Sequence, residues 1–165
     1  MKAIKGAKMP YKTPESYLPH SGAMVLIDEI IEVGEDFIIT KSIVKNHTEF
    51  CECVDSGDFG ANLALPTYKS IELMAQSLGI FRALNESGSG SKLGFLLGAR
   101  RFKILRPYIA NWAIIKVTLS MQDNSGMGVY DCEVFENDAL IATASISALN
   151  PNDDFLSQIK GMQNE

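Results

Sequence analysis

Pro66-Thr67-Tyr68-Lys69-Ser70-Ile71-Glu72-Leu73-Met74-Ala75-Gln76-Ser77-Leu78-Gly79-Ile80-Phe81-Arg82-Ala83-Leu84-Asn85 is the stretch that decides the architecture. At about 100° per residue, Ile71, Leu73, Met74, Ala75, Leu78, Ile80, Phe81 and Leu84 cover an arc of roughly 220°. A helix lying on a surface needs much less. The helix predicted over Thr67–Asn85 should therefore be wrapped by a sheet. Pro66 suits a first helical position, and Leu65 before it is pushed toward an extended shape. The remaining stripe holds Lys69, Glu72, Gln76, Gly79, Ala83 and Glu86. Ser87-Gly88-Ser89-Gly90-Ser91 ends the helix as a loop. Its G-x-G has no strand before it and no helix close behind it, as a phosphate cradle would require.

Both sides of this helix read as strands. Val25–Val33 and Phe37–Lys45 flank the turn Gly34-Glu35-Asp36 and predict a hairpin. His47–Leu65 is long, polar and irregular, and reads as a loop. After the helix, Leu93–Ile104, Ala113–Met121, Val129–Phe135 and Leu140–Leu149 read as strands, with turns at Asn124-Ser125-Gly126 and Glu136-Asn137-Asp138. One helix against six mostly antiparallel strands is an α+β layer architecture. Residues 1–24 are expected as an arm, rich in Pro10, Pro14, Pro19 and Gly22. Residues 150–165 are expected as a tail with a short amphipathic turn around Phe155–Ile159. Pattern alone ends here and names no reaction.

The 165 residues suit one domain spanning 1–165, and 46% apolar content allows a sizeable core. A net charge of −5, with basic clusters only at Lys2–Lys5–Lys8 and Arg100–Arg101–Lys103, argues against nucleic acid as the main partner. No run approaches a membrane span, and Met1–Pro10 lacks the apolar core of a signal peptide, so a cytoplasmic location is the default expectation. Three cysteines cannot all pair within one chain and are expected as free thiols. Cys51, Cys53, His47, Asp55 and Asp58 lie close in sequence, but their spacing matches no ordinary zinc pattern, and no metal or cofactor is expected.

Tyr17-Leu18-Pro19-His20-Ser21-Gly22-Ala23-Met24-Val25-Leu26-Ile27-Asp28 resembles the Leu-Pro-His-Arg-x-x-Met-Leu-Leu-Ile-Asp opening of β-hydroxyacyl-ACP dehydratases of the hot-dog fold superfamily. Glu72-Leu73-Met74-Ala75-Gln76 is similar to their Glu-x-Met-Ala-Gln helix, whose acid is catalytic. Gly94-Phe95-Leu96-Leu97-Gly98-Ala99-Arg100-Arg101-Phe102 resembles the strand after that helix. The resemblance spans about residues 17–149. It implies a hot-dog fold, a hydro-lyase acting on acyl thioesters in fatty-acid or polyene-type synthesis, an acyl carrier protein or CoA thioester as substrate, and a homodimer with an acyl tunnel at the subunit boundary. One departure stands out. Typical members carry a catalytic His in a Gly-His-Phe-Pro-Gly loop fourteen positions before the helix acid, and here that position is Asp58 in Gly57-Asp58-Phe59-Gly60. The branch found in aryl-polyene biosynthetic clusters departs in the same way, and this chain is most similar to it.

Dehydration of a 3-hydroxyacyl thioester needs one group to take a proton from C2 and another to protonate the leaving C3 oxygen. Glu72 is the acid that the motif marks; an apolar setting would push its pKa up toward neutrality, which suits acid–base duty. The helix pattern alone favours a solvated carboxylate, since Lys69 and Glu86 lie near the same angle; the motif favours function. Of two histidines, His20 is the better candidate for the missing imidazole, its other reading being an anchor for the arm. Asp58 is a candidate base or a turn residue beside two glycines. Gln76, Phe95, Leu97, Gly98 and Arg100 are the expected substrate contacts, with Gln76 otherwise a helix-surface residue. The Arg100–Arg101–Lys103 strand is expected either to greet an acidic carrier protein or simply to solvate a strand edge. Glu72 and His20 within reach across two chains would favour a dehydratase. Water activation by Glu72 or Asp58 would make a thioesterase, and Glu72 facing bulk solvent would favour a non-catalytic carrier-binding module.

Overall fold

The computed structural model of the protein describes residues 11–55, 61–85, 95–149 and 161–162. The expectations placed on Asp58, on the Ser87–Ser91 loop and on Phe155–Ile159 lie outside those residues. The predicted helix is present as α1, Ser70–Asn85. Around it run β1 (Glu29–Val33), β2 (Phe37–Ile43), β3 (Glu52–Asp55), β4 (Ala61–Pro66), β5 (Phe95–Ile104), β6 (Tyr108–Ile109), β7 (Trp112–Gln122), β8 (Met127–Glu136) and β9 (Ala139–Leu149).

The six strands read from the sequence form one antiparallel sheet in the order β1-β2-β7-β8-β9-β5. Alternation decides which face meets α1. On β7, Ala113, Ile115 and Val117 are fully buried, and on β8 so is Val134, with Tyr130 and Cys132 nearly so. Leu73, Met74 and Ile80 of α1 close the same core at 0% exposure. A polar contact also crosses this interface. Ser77 Oγ donates to the Leu73 carbonyl at 2.7 Å, so the 2.7 Å contact with Thr40 of β2 must be Thr40 Oγ1 donating to Ser77.

Several boundaries differ from the sequence reading, each for a local reason. The stretch read as a loop over His47–Leu65 holds β3 and β4, which form a second, three-stranded sheet with β6. Pro66 ends β4 with ψ 130° and does not start the helix. Thr67 N–H donates to the Pro107 carbonyl at 2.8 Å, which ties this point to the far strand, and a 3-10 turn over Thr67–Lys69 leads into α1. The first strand starts at Glu29, because Val25–Ile27 are drawn onto α1 (described below). On β5 the pairing with β9 shifts between Arg100 and Lys103, where Arg101 has φ 53°: a bulge in an edge strand.

Two carboxylates fix loops from inside. Glu136, 3% exposed, accepts the Ala110 and Asn111 N–H groups on Oε2 at 3.0 and 2.8 Å. Asp28 accepts the Ile43 N–H at 2.6 Å, Asn46 Nδ2 at 3.0 Å and His47 Nε2 at 2.8 Å. His47, which opens the stretch read from sequence as a loop, is thus a buried anchor. Burial works to raise the Asp28 pKa, but the hydrogen bonds from His47, Ile43 and Asn46 and the His47 charge outweigh it and hold the carboxyl below its ordinary 3.8. A folded-state pKa below the unfolded one stabilises the fold above about 3.9 and ceases to do so as pH falls through the folded value. Acid unfolding, followed by circular dichroism, should therefore steepen below pH 4. Asp28→Ala should remove that dependence and lower stability at neutral pH by about 1–3 kcal/mol for each buried donor left unpaired. An unchanged acid limb in Asp28→Ala would contradict the anchor.

Candidate active site

The helix stripe that reads as polar in sequence is not left to solvent. Glu72, Gln76 and Gly79 fall at i, i+4 and i+7, so they line one side of α1. Residues 18–27 lie on that side. Leu18, Leu26 and Ile27 are each under 5% exposed and belong to the core. Gly79 permits close approach: a Cβ there would sit 3.2 Å from Leu18 Cδ2. Gln76, 1% exposed, accepts the Leu26 N–H on Oε1 at 2.8 Å and donates from Nε2 to the Met24 carbonyl at 2.8 Å. Its second Nε2 hydrogen goes to Glu72 Oε1 at 2.9 Å.

The arm thereby brings His20 beside Glu72, with His20 Nε2 3.4 Å from Glu72 Oε1. Their side chains are 32% and 46% exposed. His20 Nδ1 is buried and has no hydrogen-bond partner among the described residues. The pair forms within one chain, where the sequence reading looked for it across two. Glu72 is also more open in the single chain than the apolar setting expected from sequence. Both neighbours converge on Oε1 and leave Oε2 outside these two contacts. Imidazole and carboxyl at this separation can pass a proton between them, which acid–base work requires.

Of the other expected site residues that are described, Gln76 lies beside the pair and the β5 residues lie apart from it. Gln76 spends its carboxamide on the arm and on Glu72 and faces no open surface. Leu97, Gly98 and Arg100 are exposed on β5, and Phe95 begins that strand. β5 is the sheet edge beyond β9, whereas α1 packs on β2, β7 and β9. Within one chain these residues do not surround Glu72. Among the described residues no cluster of His, Cys, Asp and Glu could hold a metal. What the sequence reading missed is that the stripe and the arm are partners. A glycine inside an otherwise regular helix was the available sign of close approach.

One long helix on a six-stranded antiparallel sheet is the hot-dog fold. A family model described as ApeP-like, ApeP dehydratase, matches residues 12–160, and the chain belongs to that dehydratase family. The 3-hydroxyacyl-[acyl-carrier-protein] dehydratase FabZ of Acinetobacter baylyi is 29% identical over 133 residues, covering 79% of this chain and 86% of its own. FabZ of Agrobacterium fabrum is 27% identical, covering 80% and 83%. Among solved structures, a chain of the dehydratase heterocomplex ApeI:P from Xenorhabdus doucetiae superposes with a TM-score of 0.74 at 25% identity, covering 90% of this chain and 97% of that one. A thioesterase from Haemophilus influenzae shares the fold at a TM-score of 0.53 and 20% identity, covering 75% and 78%.

The thiols give a direct check on the packing around the site. Burial, reinforced by the Asp131 charge, pushes Cys132 up to about 12. Burial also raises Cys51, against the opposing charge of Lys69, while Cys53 is exposed. At pH 8 a maleimide should label Cys53 first and Cys51 slowly, and should reach Cys132 only after denaturation. Mass spectrometry of the labelled native protein reads the order, and early labelling of Cys132 would contradict the sheet–helix packing.

Proposed function

We propose that this chain dehydrates 3-hydroxyacyl groups carried on acyl carrier protein, with Glu72 and His20 as its acid–base pair. The observation that carries the reading is the 3.4 Å approach of His20 Nε2 to Glu72 Oε1 at the start of α1. Membership of a dehydratase family supplies the reaction class. In the competent state the pair holds one proton. His20 Nε2 takes the C2 proton of the substrate. Glu72, protonated on Oε2, gives its proton to the C3 hydroxyl, the C3–O bond breaks, and water leaves with the double bond formed between C2 and C3. The proton gained by His20 then returns to Glu72, and the site is reset. Backbone N–H groups at the start of α1 suit the enolate oxygen that develops on the thioester carbonyl. Asp58 is the competing choice for the second group. Phe95, Leu97, Gly98 and Arg100 serve as substrate contacts in this reading once the β5 edges of two subunits meet. The resemblance to the aryl-polyene branch favours polyene-type substrates.

A homodimer fits the exposed edge. Among the described residues β5 pairs with β9 on one side only, and Leu96, Leu97 and Ile104 are 48, 54 and 44% exposed there. Edges of this kind need cover. The Xenorhabdus structure is a heterocomplex, so a second hot-dog subunit is the competing occupant. Light scattering at micromolar concentration should give twice 18.1 kDa for the chain alone. A monomer that pairs only with a second hot-dog protein would move the assembly to the heteromeric kind.

Glu72→Gln should abolish turnover of a 3-hydroxyacyl-ACP, read by enoyl absorbance, with fold and assembly intact. Loss of one acid–base group costs about a hundred- to ten-thousand-fold. His20→Ala should cost a comparable factor. A silent His20→Ala with a damaging Asp58→Asn would assign the second role to the loop carboxylate. Thiol release without enoyl chemistry would move the reading to thioester hydrolysis.

A further inference from the structure

The Gln76 carboxamide has only one possible orientation. Leu26 offers an N–H and must meet Oε1, while Met24 offers a carbonyl and must meet Nε2. The hydrogen left on Nε2 is the one that reaches Glu72 Oε1. A single buried group is thus bonded at once to the arm backbone on two sides and to the carboxyl. The arm segment that carries His20 is held at both ends. Leu18 is wedged over Gly79 before it, and Met24–Leu26 are clasped by Gln76 after it. Between these holds the chain turns through Gly22 at φ 58°, with Gly22 N–H donating to Glu15 Oε1 at 3.2 Å, and residues 21–24 are exposed. This seating brings His20 to Glu72, although the two residues lie 52 positions apart on different segments.

We propose that Gln76 is a positioning residue that couples the seating of residues 18–27 to the His20–Glu72 pair, so that the pair exists only while the arm is docked on α1. This rests on the reading of that pair as the acid–base site. Undocking removes both backbone partners of Gln76, frees its amide to rotate away from Glu72, and carries His20 off with the arm. A carboxyl that loses a fixed donor and its imidazole neighbour is no longer placed for proton transfer, and misplacement of about 1 Å can cost about a hundredfold in rate.

The chain has two histidines, so their ring signals can be resolved by NMR, and His47, clamped by Asp28, serves as an internal control. Glu72→Gln should move the His20 ring signals and leave those of His47 in place. In the background of Gln76→Met, which keeps the volume and removes all three hydrogen bonds, the same Glu72→Gln change should leave His20 unmoved. Gly79→Leu tests the coupling without touching Gln76 or Glu72: it drives Leu18 off the helix while replacing glycine with a stronger helix former. It should likewise silence the response of His20 to Glu72→Gln, and it decides the matter if Gln76→Met fails to fold. In both backgrounds kcat should fall by about a hundredfold with a smaller change in KM. A His20 response to Glu72→Gln of equal size in all three backgrounds would overturn the coupling. The NMR measurement needs no substrate, so it decides the coupling even if the unmutated protein proves to have no dehydratase activity.

Discussion

A helix with a wide apolar arc, set against a sheet that can cover only one side of it, needs a second cover. α1 buries Leu73, Met74 and Ile80 on the sheet, and its opposite stripe of Glu72, Gln76 and Gly79 is capped by residues 18–27. The cover is polar where the stripe is polar. A glutamine buried to 1% in such a place would be costly unless its amide were fully bonded, and Met24, Leu26 and Glu72 supply those bonds. The arm is therefore part of the core and of the candidate site together. Leu18, Leu26 and Ile27 supply apolar burial, and His20 between them supplies chemistry.

Other parts of the fold hold that arrangement in place. Asp28 follows the arm directly and binds the end of β2, Asn46 and His47, so the arm leaves α1 at a fixed point and enters β1 without slack. Thr40 and Ser77 lock β2 to α1. Thr67 and Pro107 tie the approach to α1 to the second sheet, which places the first helical turn and Glu72 in it. Each contact is a hydrogen bond of modest net value, but where the group is buried, losing one partner strands a donor or acceptor, which costs more than the bond itself contributes. Geometry at the His20–Glu72 pair is thus maintained by groups remote from it.

The architecture was legible from periodicity. The 3.6-residue repeat over the helix and the two-residue repeats on either side gave six strands and one wrapped helix, and those six strands form the main sheet in the structure. The short strands Glu52–Asp55, Ala61–Pro66 and Tyr108–Ile109 were not legible. Their residues show little alternation, and their pairing depends on the long-range tie between residues 66–67 and 107–108. Glu72 was marked by its motif, not by its place on the helix, where it looks like any solvated carboxylate. Arg100 and Leu97 were read as substrate contacts from the same kind of likeness, and among the described residues they lie on an edge strand of the sheet.

The sequence by itself determined the element types, the wrapped helix, and the two short motifs that place this chain among the dehydratases, because those depend on local spacing and residue identity. Only the tertiary structure decided that His20 and Glu72, 52 positions apart, stand 3.4 Å from each other. That contact follows from where the arm lies on the helix. The arm's place is set by one buried amide, one glycine and one aspartate network, none of which has a periodic signature. Hydrogen bonds between distant segments depend on the folded path of the backbone, which local propensity does not encode.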